Sequence, residues 1–183
     1  RTVEHELMKA LIKTRAVSPD PVISKFASAG RTDRFVSALG NAFAVNAGRE
    51  LAPAAINSKL SDEIRVWARA QVPLSYNPRL ALRRHYKYLL YPTKRMDLDL
   101  MSRTAELFLG KHDFRRYAHR PDMSSSIREV SEFSISRLYD DFISIDIVGD
   151  SFLRRMVRKV VGVLIYVASG LLPLVEVERF FDP

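Results

Sequence analysis

The sequence predicts an α+β protein, because stretches of helical periodicity are interspersed with stretches whose apolar residues recur at every second position. Residues 3–12 repeat at helical spacing behind Thr2, which can cap a helix. Residues 64–72 alternate between apolar and polar side chains, as a half-buried strand does. Residues 127–138 and 142–148 are two strand-like segments joined by residues 139–141, which predicts a hairpin of antiparallel strands.

The first part of the chain is predicted to contain both kinds of element. After the first helix we expect a strand at 26–29, a turn at 30–33 and a second strand at 35–45. A short helix at 53–60 and the strand at 64–72 follow. Residues 73–78 contain two prolines and interrupt the pattern, so we place a boundary there between two halves, 1–78 and 79–183.

The second half repeats the mixture of elements. A strand is expected at 83–91, then a helix at 98–109 that ends at Gly110, and a polar loop at 119–126. In the hairpin, Ile143, Ile145 and Ile147 are expected to face the core, while Ser144 and Asp146 face outward. Two helices, at 152–168 and 174–181, complete the pattern.

The composition indicates a globular protein with an anionic partner. The chain has 183 residues and 29 Lys and Arg against 21 Asp and Glu, a net charge of +8. Such a surplus favours nucleic acid over a membrane surface. There is no cysteine, which excludes disulfides and cysteine nucleophiles. No apolar run approaches the roughly 20 residues of a membrane span, and no secretory signal is visible, so we expect a cytoplasmic location.

Familiar cofactor motifs are missing from the sequence. It contains no glycine-rich phosphate loop and no dinucleotide-binding fingerprint, and its four histidines do not have metal-ligand spacing. We therefore predict no metal and no nucleotide cofactor, and any chemistry must come from carboxylate, hydroxyl and guanidinium groups.

Asp33 is the leading candidate for chemistry. An aspartate in a turn most often bonds to its own backbone. The neighbouring Arg31 favours a second interpretation, because a turn needs no guanidinium and this one could hold a phosphate or a flipped nucleotide.

Three other groups of residues suggest contact with nucleic acid. Tyr86 lies on a predicted strand, where it either fills the core or offers a stacking surface to an unstacked base. Four cations are predicted on one side of the helix at 152–168, which suggests an anion opposite them: Arg154, Arg155, Arg158 and Lys159. Arg65 and Arg69 flank Trp67 on a second basic face.

Four motifs, taken in order, resemble the TruA family of tRNA pseudouridine synthases, and its archaeal members in particular. They are A-G-R-T-D at 29–33, R-x-Y-x-Y at 84–88, H-D-F at 112–114 and F-x-x-x-M-V-R at 152–158. Members of the family begin with a strand and a short Tyr/Gly motif, both located before the helix that corresponds to residues 3–12 here. They also have a C-terminal tail. Because neither is present, we expect this sequence to be an excerpt of a longer protein.

The resemblance implies a pseudouridine-synthase fold, in which two α+β halves join their sheets around a basic cleft. It implies isomerisation of uridine in the tRNA anticodon stem-loop, at tRNA positions 38 to 40, by a homodimer that needs no cofactor. Asp33 would be the catalytic carboxylate, attacking carbon or assisting glycosidic cleavage. Tyr86 would stack on the uracil, and Arg31 would help to hold the target nucleotide out of its stack. Arg158 would keep the acid ionised.

Two alternatives predict different products. A non-catalytic RNA-binding module on the same fold would bind tRNA without needing Asp33. A nucleosidase-like hydrolase would release free uracil and usually needs a second acid, for which the sequence offers no convincing candidate.

Overall fold

The computed structural model describes residues 2–92, 95–119, 125–139 and 142–181. The chain divides into two compact units, Arg1–Ala81 and Leu82–Pro183. That these units are the functional halves expected at 1–78 and 79–183 stays a prediction. Both contain helices and antiparallel strands, which confirms the α+β class.

The first unit is built on a capped helix and a short two-stranded sheet. Helix α1 spans Val3–Lys13, and the Thr2 hydroxyl accepts a hydrogen bond of 3.2 Å from the His5 amide, as predicted. Its remaining elements are α2 Pro21–Ser24, β1 Ala27–Ser28, β2 Phe43–Ala44, α3 Pro53–Asn57 and a 3₁₀ turn at Pro78–Leu80. The core of this unit packs α1 and α3 around Leu7, Leu11, Val17, Ile56 and Val66.

Two strands predicted in this unit were wrong. Of the expected strand 35–45, only Phe43–Ala44 pairs, with Ala27–Ser28. Residues 64–72 form no strand. Instead, the Asn57 side chain bonds to both backbone groups of Val66. Its Nδ2 donates to the Val66 carbonyl and its Oδ1 accepts from the Val66 backbone N–H, both at 2.8 Å. The Asn57 side chain thus makes the backbone hydrogen bonds of Val66, the one buried residue of this segment, that a neighbouring strand would otherwise make.

The second unit is a four-stranded antiparallel sheet with helices on one face. Its elements are β3 Arg84–Leu90, α4 Leu98–Glu106, β4 Gly110–Asp113, β5 Ile127–Arg137, β6 Ile143–Gly149, α5 Met156–Ala168 and α6 Leu174–Glu178. The strand order is β3-β6-β5-β4. Ile143, Ile145 and Ile147 are fully buried under α4 and α5, as predicted.

Helix boundaries in this unit differ from those predicted. Helix α4 ends at Glu106, and Gly110, at φ 90°, opens β4, a strand that was not predicted. Helix α5 begins at Met156, four residues later than predicted, so Arg154 and Arg155 precede it. Parts of the predicted hairpin turn and of the polar loop 119–126 lie outside the described residues. None of the helices in the described ranges combines the length and the apolar composition of a membrane-spanning segment.

The opposite face of the sheet is polar and centres on Asp146. Its carboxylate bonds to His85 Nε2 at 2.7 Å, to Lys87 Nζ at 3.0 Å and to the Ser144 hydroxyl at 2.7 Å. Asp146 does face away from the helices, as expected, but Ser144 is buried beneath this network. The network joins the edge strand β3 to the central strand β6.

Candidate active site residues in the two units

In the first unit, Asp33 lies on an exposed loop that is fastened at its base. The Asn41 side-chain amide donates to the Gly30 carbonyl at 2.8 Å, and its oxygen accepts from the Ala42 amide at 2.9 Å. The Ala29 amide donates to the Ala42 carbonyl at 2.8 Å. These bonds close the loop on the two-stranded sheet, so they restrict the position of a carboxylate that is itself open to solvent.

The tip of this loop holds a strained residue. The Asp33 carbonyl accepts from the Val36 amide at 3.1 Å, which makes a tight turn. Within the turn Phe35 has φ 67°, a conformation that bulky residues rarely adopt. The Arg34 guanidinium carbon lies 4.6 Å from the centroid of the Phe35 ring. Arg31 is exposed on the same loop.

In the second unit, Tyr86 is half-buried on β3 and packs edge-on against Phe152. The two ring centroids are 5.2 Å apart and the ring planes meet at 85°. Phe152 in turn lies against Gly149, where an added Cβ would be 3.1 Å from Phe152 Cζ and 2.6 Å from the Glu129 carbonyl. Gly149 therefore gives the Phe152 ring the room it needs to reach Tyr86.

The segment between β6 and α5 is also fixed by hydrogen bonds. Arg84 Nη1 donates to the Asp150 carbonyl at 2.5 Å, and the Asp150 carboxylate accepts from the Glu129 amide at 3.2 Å. Arg155 turns the chain into α5 with φ 62°. Arg154, Arg155 and Arg158 are exposed around the start of this helix.

Cations at a helix N-terminus oppose the helix dipole, which favours negative charge at that end. Because Arg154, Arg155 and Arg158 stand there together, this cluster does not stabilise the helix through its dipole.

Three further predicted RNA-contacting cations contact protein groups. Lys159 Nζ donates to the carbonyls of Arg116, at 3.2 Å, and Ala118, at 2.5 Å. Arg65 pairs with Asp62 at 2.5 Å, and Arg69 pairs with Glu50. The geometry favours a structural role for Lys159, whose ammonium bonds to the backbone around the 3₁₀ turn Arg115–Tyr117.

The H-D-F motif at 112–114 is structural in this unit. Hydrogen bonds from the Ser126 side chain and the Arg115 backbone hold the pKa of Asp113 below its ordinary value, with Arg115 also contributing by charge. His112 Nε2 lies 2.7 Å from the Leu109 carbonyl, and its ring packs on Phe181. Phe114 is fully buried.

Asp33 and Arg31 thus lie in the first unit, and Tyr86 and Arg158 lie in the second, so their convergence in one site stays a prediction. Sequence reasoning missed two supporting residues, Asn41 and Phe152. Phe152 opens the F-x-x-x-M-V-R motif that also contains Arg158, whereas Asn41 lies outside all four motifs. Among the described residues, no group of three or more His, Cys, Asp or Glu side chains is placed to hold a metal ion.

Comparison with known proteins defines the class to which this fold and these motifs belong. A sequence model of the family described as tRNA pseudouridine synthase matches residues 104–183. That range contains β5, β6, α5 and the segment that carries Phe152 and Arg158.

Archaeal relatives narrow the assignment. The chain is 39% identical over 169 residues to tRNA pseudouridine synthase A of Methanothermobacter thermautotrophicus, covering 92% of this chain and 60% of that protein. It is 38% identical to the protein of the same name from Methanococcoides burtonii, covering all of this chain and 66% of the relative. For that of Methanobrevibacter smithii the identity is 36%, covering all of this chain and 67% of the relative. The chain therefore belongs to the tRNA pseudouridine synthase A family, and it spans between 60% and 67% of the length of these relatives.

Proposed function

We propose that the protein is an isomerase that converts uridine to pseudouridine in tRNA, with Asp33 as its catalytic carboxylate. The observation that carries the proposal is the exposed Asp33 on a loop closed by Asn41 and Ala42, within the G-R-T-D motif of a family member. The names of the relatives support the substrate and the reaction.

The reaction rearranges bonds without net gain or loss of atoms. The bond between N1 of uracil and C1′ of ribose breaks, the base turns, and C5 bonds to C1′. The hydrogen on C5 leaves as a proton, and N1 gains one. Asp33 either attacks as a nucleophile or assists the cleavage, and both routes require an ionised carboxylate.

The other residues have distinct parts in this proposal. Tyr86, with its ring fixed by Phe152, stacks on the uracil and retains it while it is detached. Arg31 holds the target nucleotide out of its stack, because a stacked base cannot turn in place. Arg158 supplies a positive charge that keeps Asp33 ionised.

Binding of the tRNA is assigned to the exposed basic surface. Arg154 and Arg155 precede α5 and contact phosphates. Arg65 and Arg69 are assigned a lesser part in binding, because each already pairs with an acidic side chain. We place the target uridine in the anticodon stem-loop and propose a homodimer as the working assembly, in the cytoplasm where tRNA acts. These three assignments rest on the family resemblance.

Tritium release from tRNA labelled at C5 of uridine tests the proposal. The wild-type protein is expected to release tritium, whereas Asp33→Asn abolishes release and leaves tRNA retention on filters within a few-fold. Asp20→Asn is the matched control, since Asp20 caps α2 through the Val22 amide at 2.8 Å and asparagine caps equally well. Release by Asp33→Asn within a few-fold of wild type would remove Asp33 from the reaction. Wild-type binding without release would indicate the non-catalytic module, and free uracil would indicate the hydrolase.

A further inference from the structure

Phe35 combines two properties that are unfavourable for folding. It has φ 67°, and steric repulsion makes that region costly for any residue with a bulky side chain. Its side chain is also 91% exposed, so it gains almost nothing from burial. A glycine at this position would avoid both costs. Strain of this kind persists at sites of function more often than elsewhere.

The surroundings of Phe35 point to a ligand with a flat aromatic surface and a negative charge. Arg34 stands over one face of the ring at 4.6 Å, and the high exposure leaves the opposite face open. Arg31 is exposed on the same loop, and Asp33 is two residues away. The bonds of Asn41 and Ala42 restrain the loop at its base, so the ring is presented from a tethered support. Nucleic acid supplies both the flat surface and the charge.

We propose that Phe35 stacks on an unstacked base of the substrate tRNA, next to the nucleotide that Asp33 acts on. This inference rests on the proposed function and assigns a further substrate-binding residue to the same site. The phenyl ring lies between the Arg34 guanidinium and the base, and the cation also contributes to the binding of RNA. Removing a uridine from its stack leaves a neighbouring base without a partner, and an aromatic side chain can cover it.

Leu39 provides an internal comparison. It is fully exposed on the same loop, so exposure and hydrophobicity alone would give it the same role. It has no flat ring, so it cannot stack on a base. The proposal therefore predicts that Phe35 and Leu39 differ in their effect on RNA.

The first experiment measures tRNA binding by the variants Phe35→Gly, Phe35→Trp and Leu39→Ala. Phe35→Gly relieves the strained φ, so its urea midpoint is expected to equal or exceed that of wild type, and loss of fold cannot explain a defect. The dissociation constant for tRNA should rise between about fivefold and a hundredfold, the range of base–aromatic stacking. Phe35→Trp should bind as well as wild type or better, and Leu39→Ala should bind as wild type does.

The second experiment observes the stack directly. Trp67 is the single tryptophan of the chain, so Trp67→Phe provides a background without indole fluorescence. In that background, tRNA should quench the indole fluorescence of the Phe35→Trp variant in proportion to binding. It should not quench the fluorescence of the Leu39→Trp variant. Wild-type affinity of Phe35→Gly, or equal quenching at both positions, would overturn the proposal.

The two experiments separate this inference from the proposed function. If wild-type protein releases tritium but Phe35→Gly binds and turns over normally, the reaction stands and the stacking contact is wrong. If tRNA quenches the fluorescence of the Phe35→Trp variant and wild type releases no tritium, the stacking contact stands and the proposed isomerisation is wrong.

Discussion

At the scale of single residues, Tyr86 and Tyr88 show how two tyrosines on one strand face differ. Both point to the helix-covered side of the sheet, opposite Ile147 and Ile145. Tyr86 is half-buried against Phe152, whereas Tyr88 is 40% exposed. Of these two tyrosines, only Tyr86 packs against another aromatic ring among the described residues.

This difference predicts that Tyr86→Ala lowers the rate of isomerisation about ten- to a hundredfold, since one base–aromatic stack is lost, while Tyr88→Ala changes it a few-fold at most. Tyr86→Phe should retain most of the activity, because the ring remains. Tyr86→Ala also loses packing on Phe152, so rates are compared at equal folded fraction by circular dichroism. Equal rates for the two alanine variants would make Tyr86 a structural residue only.

Arg158 and Arg154 are neighbours with different predicted roles. Arg158 is assigned to Asp33, and Arg154 to a phosphate. Lysine replaces arginine well as a point charge at a phosphate but loses the two-pronged geometry at a carboxylate. We therefore expect Arg158→Lys to impair turnover, and Arg154→Lys to leave it near normal.

The alanine variants sharpen the same comparison. In Arg158→Ala the acid limb of the pH–rate profile should move to higher pH, because an opposite charge that favours the ionised acid is gone. Arg154→Ala should weaken tRNA binding and flatten its dependence on salt. An unmoved acid limb in Arg158→Ala, with weaker binding, would make Arg158 another phosphate contact.

At the scale of elements, the polar network on β3 and β6 joins the edge strand of the second unit to its centre. Burial raises the pKa of Asp146, but hydrogen bonds from Ser144, Lys87 and His85 outweigh it, so the pKa lies below its ordinary value. A carboxylate with a depressed pKa in the folded state stabilises the fold above the pKa of the unfolded chain. That stabilisation is lost as the pH falls through the folded pKa.

Asp146→Asn should therefore destabilise the protein near neutral pH, by about 1–3 kcal/mol, because Lys87 and His85 lose a charged acceptor. The difference from wild type should begin to shrink as the pH falls below about 4, the ordinary pKa of an aspartate in the unfolded chain. It should shrink further as the pH passes through the lower folded-state pKa, where the wild-type carboxyl also loses its charge. Urea unfolding at several pH values measures this, with Asp99→Asn as the control on the exposed first turn of α4. A difference that stays constant with pH would show that the charge of Asp146 does not stabilise the fold.

At the scale of the whole molecule, the two units contribute unlike parts to the proposed site. The first contributes a carboxylate on a fastened loop, and the second contributes a fixed aromatic pair and the basic start of α5. The chain carries a net charge of +8, a surplus suited to the many phosphates of a tRNA.

We expect the protein to act as a homodimer whose joint basic surface holds one tRNA. Sedimentation velocity at the concentration of the activity assay should give a dimer, and titration should give one tRNA per dimer at saturation. A fully active monomer would contradict this expectation. Binding should weaken steeply with added salt, because the contact is largely with phosphates.

The sequence by itself determined the elements whose signal is local. Helix α1, with its Thr2 cap, and strands β3, β5 and β6 follow from periodicity and flanking residues alone. The motifs around Asp33, Tyr86 and Arg158 were enough to indicate the family. An alternating pattern and a capping side chain lie within a few residues, so they can be read without knowing the fold.

Only the tertiary structure decided which segments of alternating apolar and polar residues pair as strands. It also decided which residues support the proposed site residues. Residues 64–72 show the same alternation of apolar and polar side chains as β6. A strand also needs a neighbouring strand to bond to its backbone, and at Val66 the Asn57 side chain makes those backbone hydrogen bonds instead. The contact of Phe152 with Tyr86 joins residues 66 positions apart and depends on the lack of a side chain at Gly149. The left-handed backbone of Phe35 is likewise set by the turn around it, because nothing in a phenylalanine predicts that conformation.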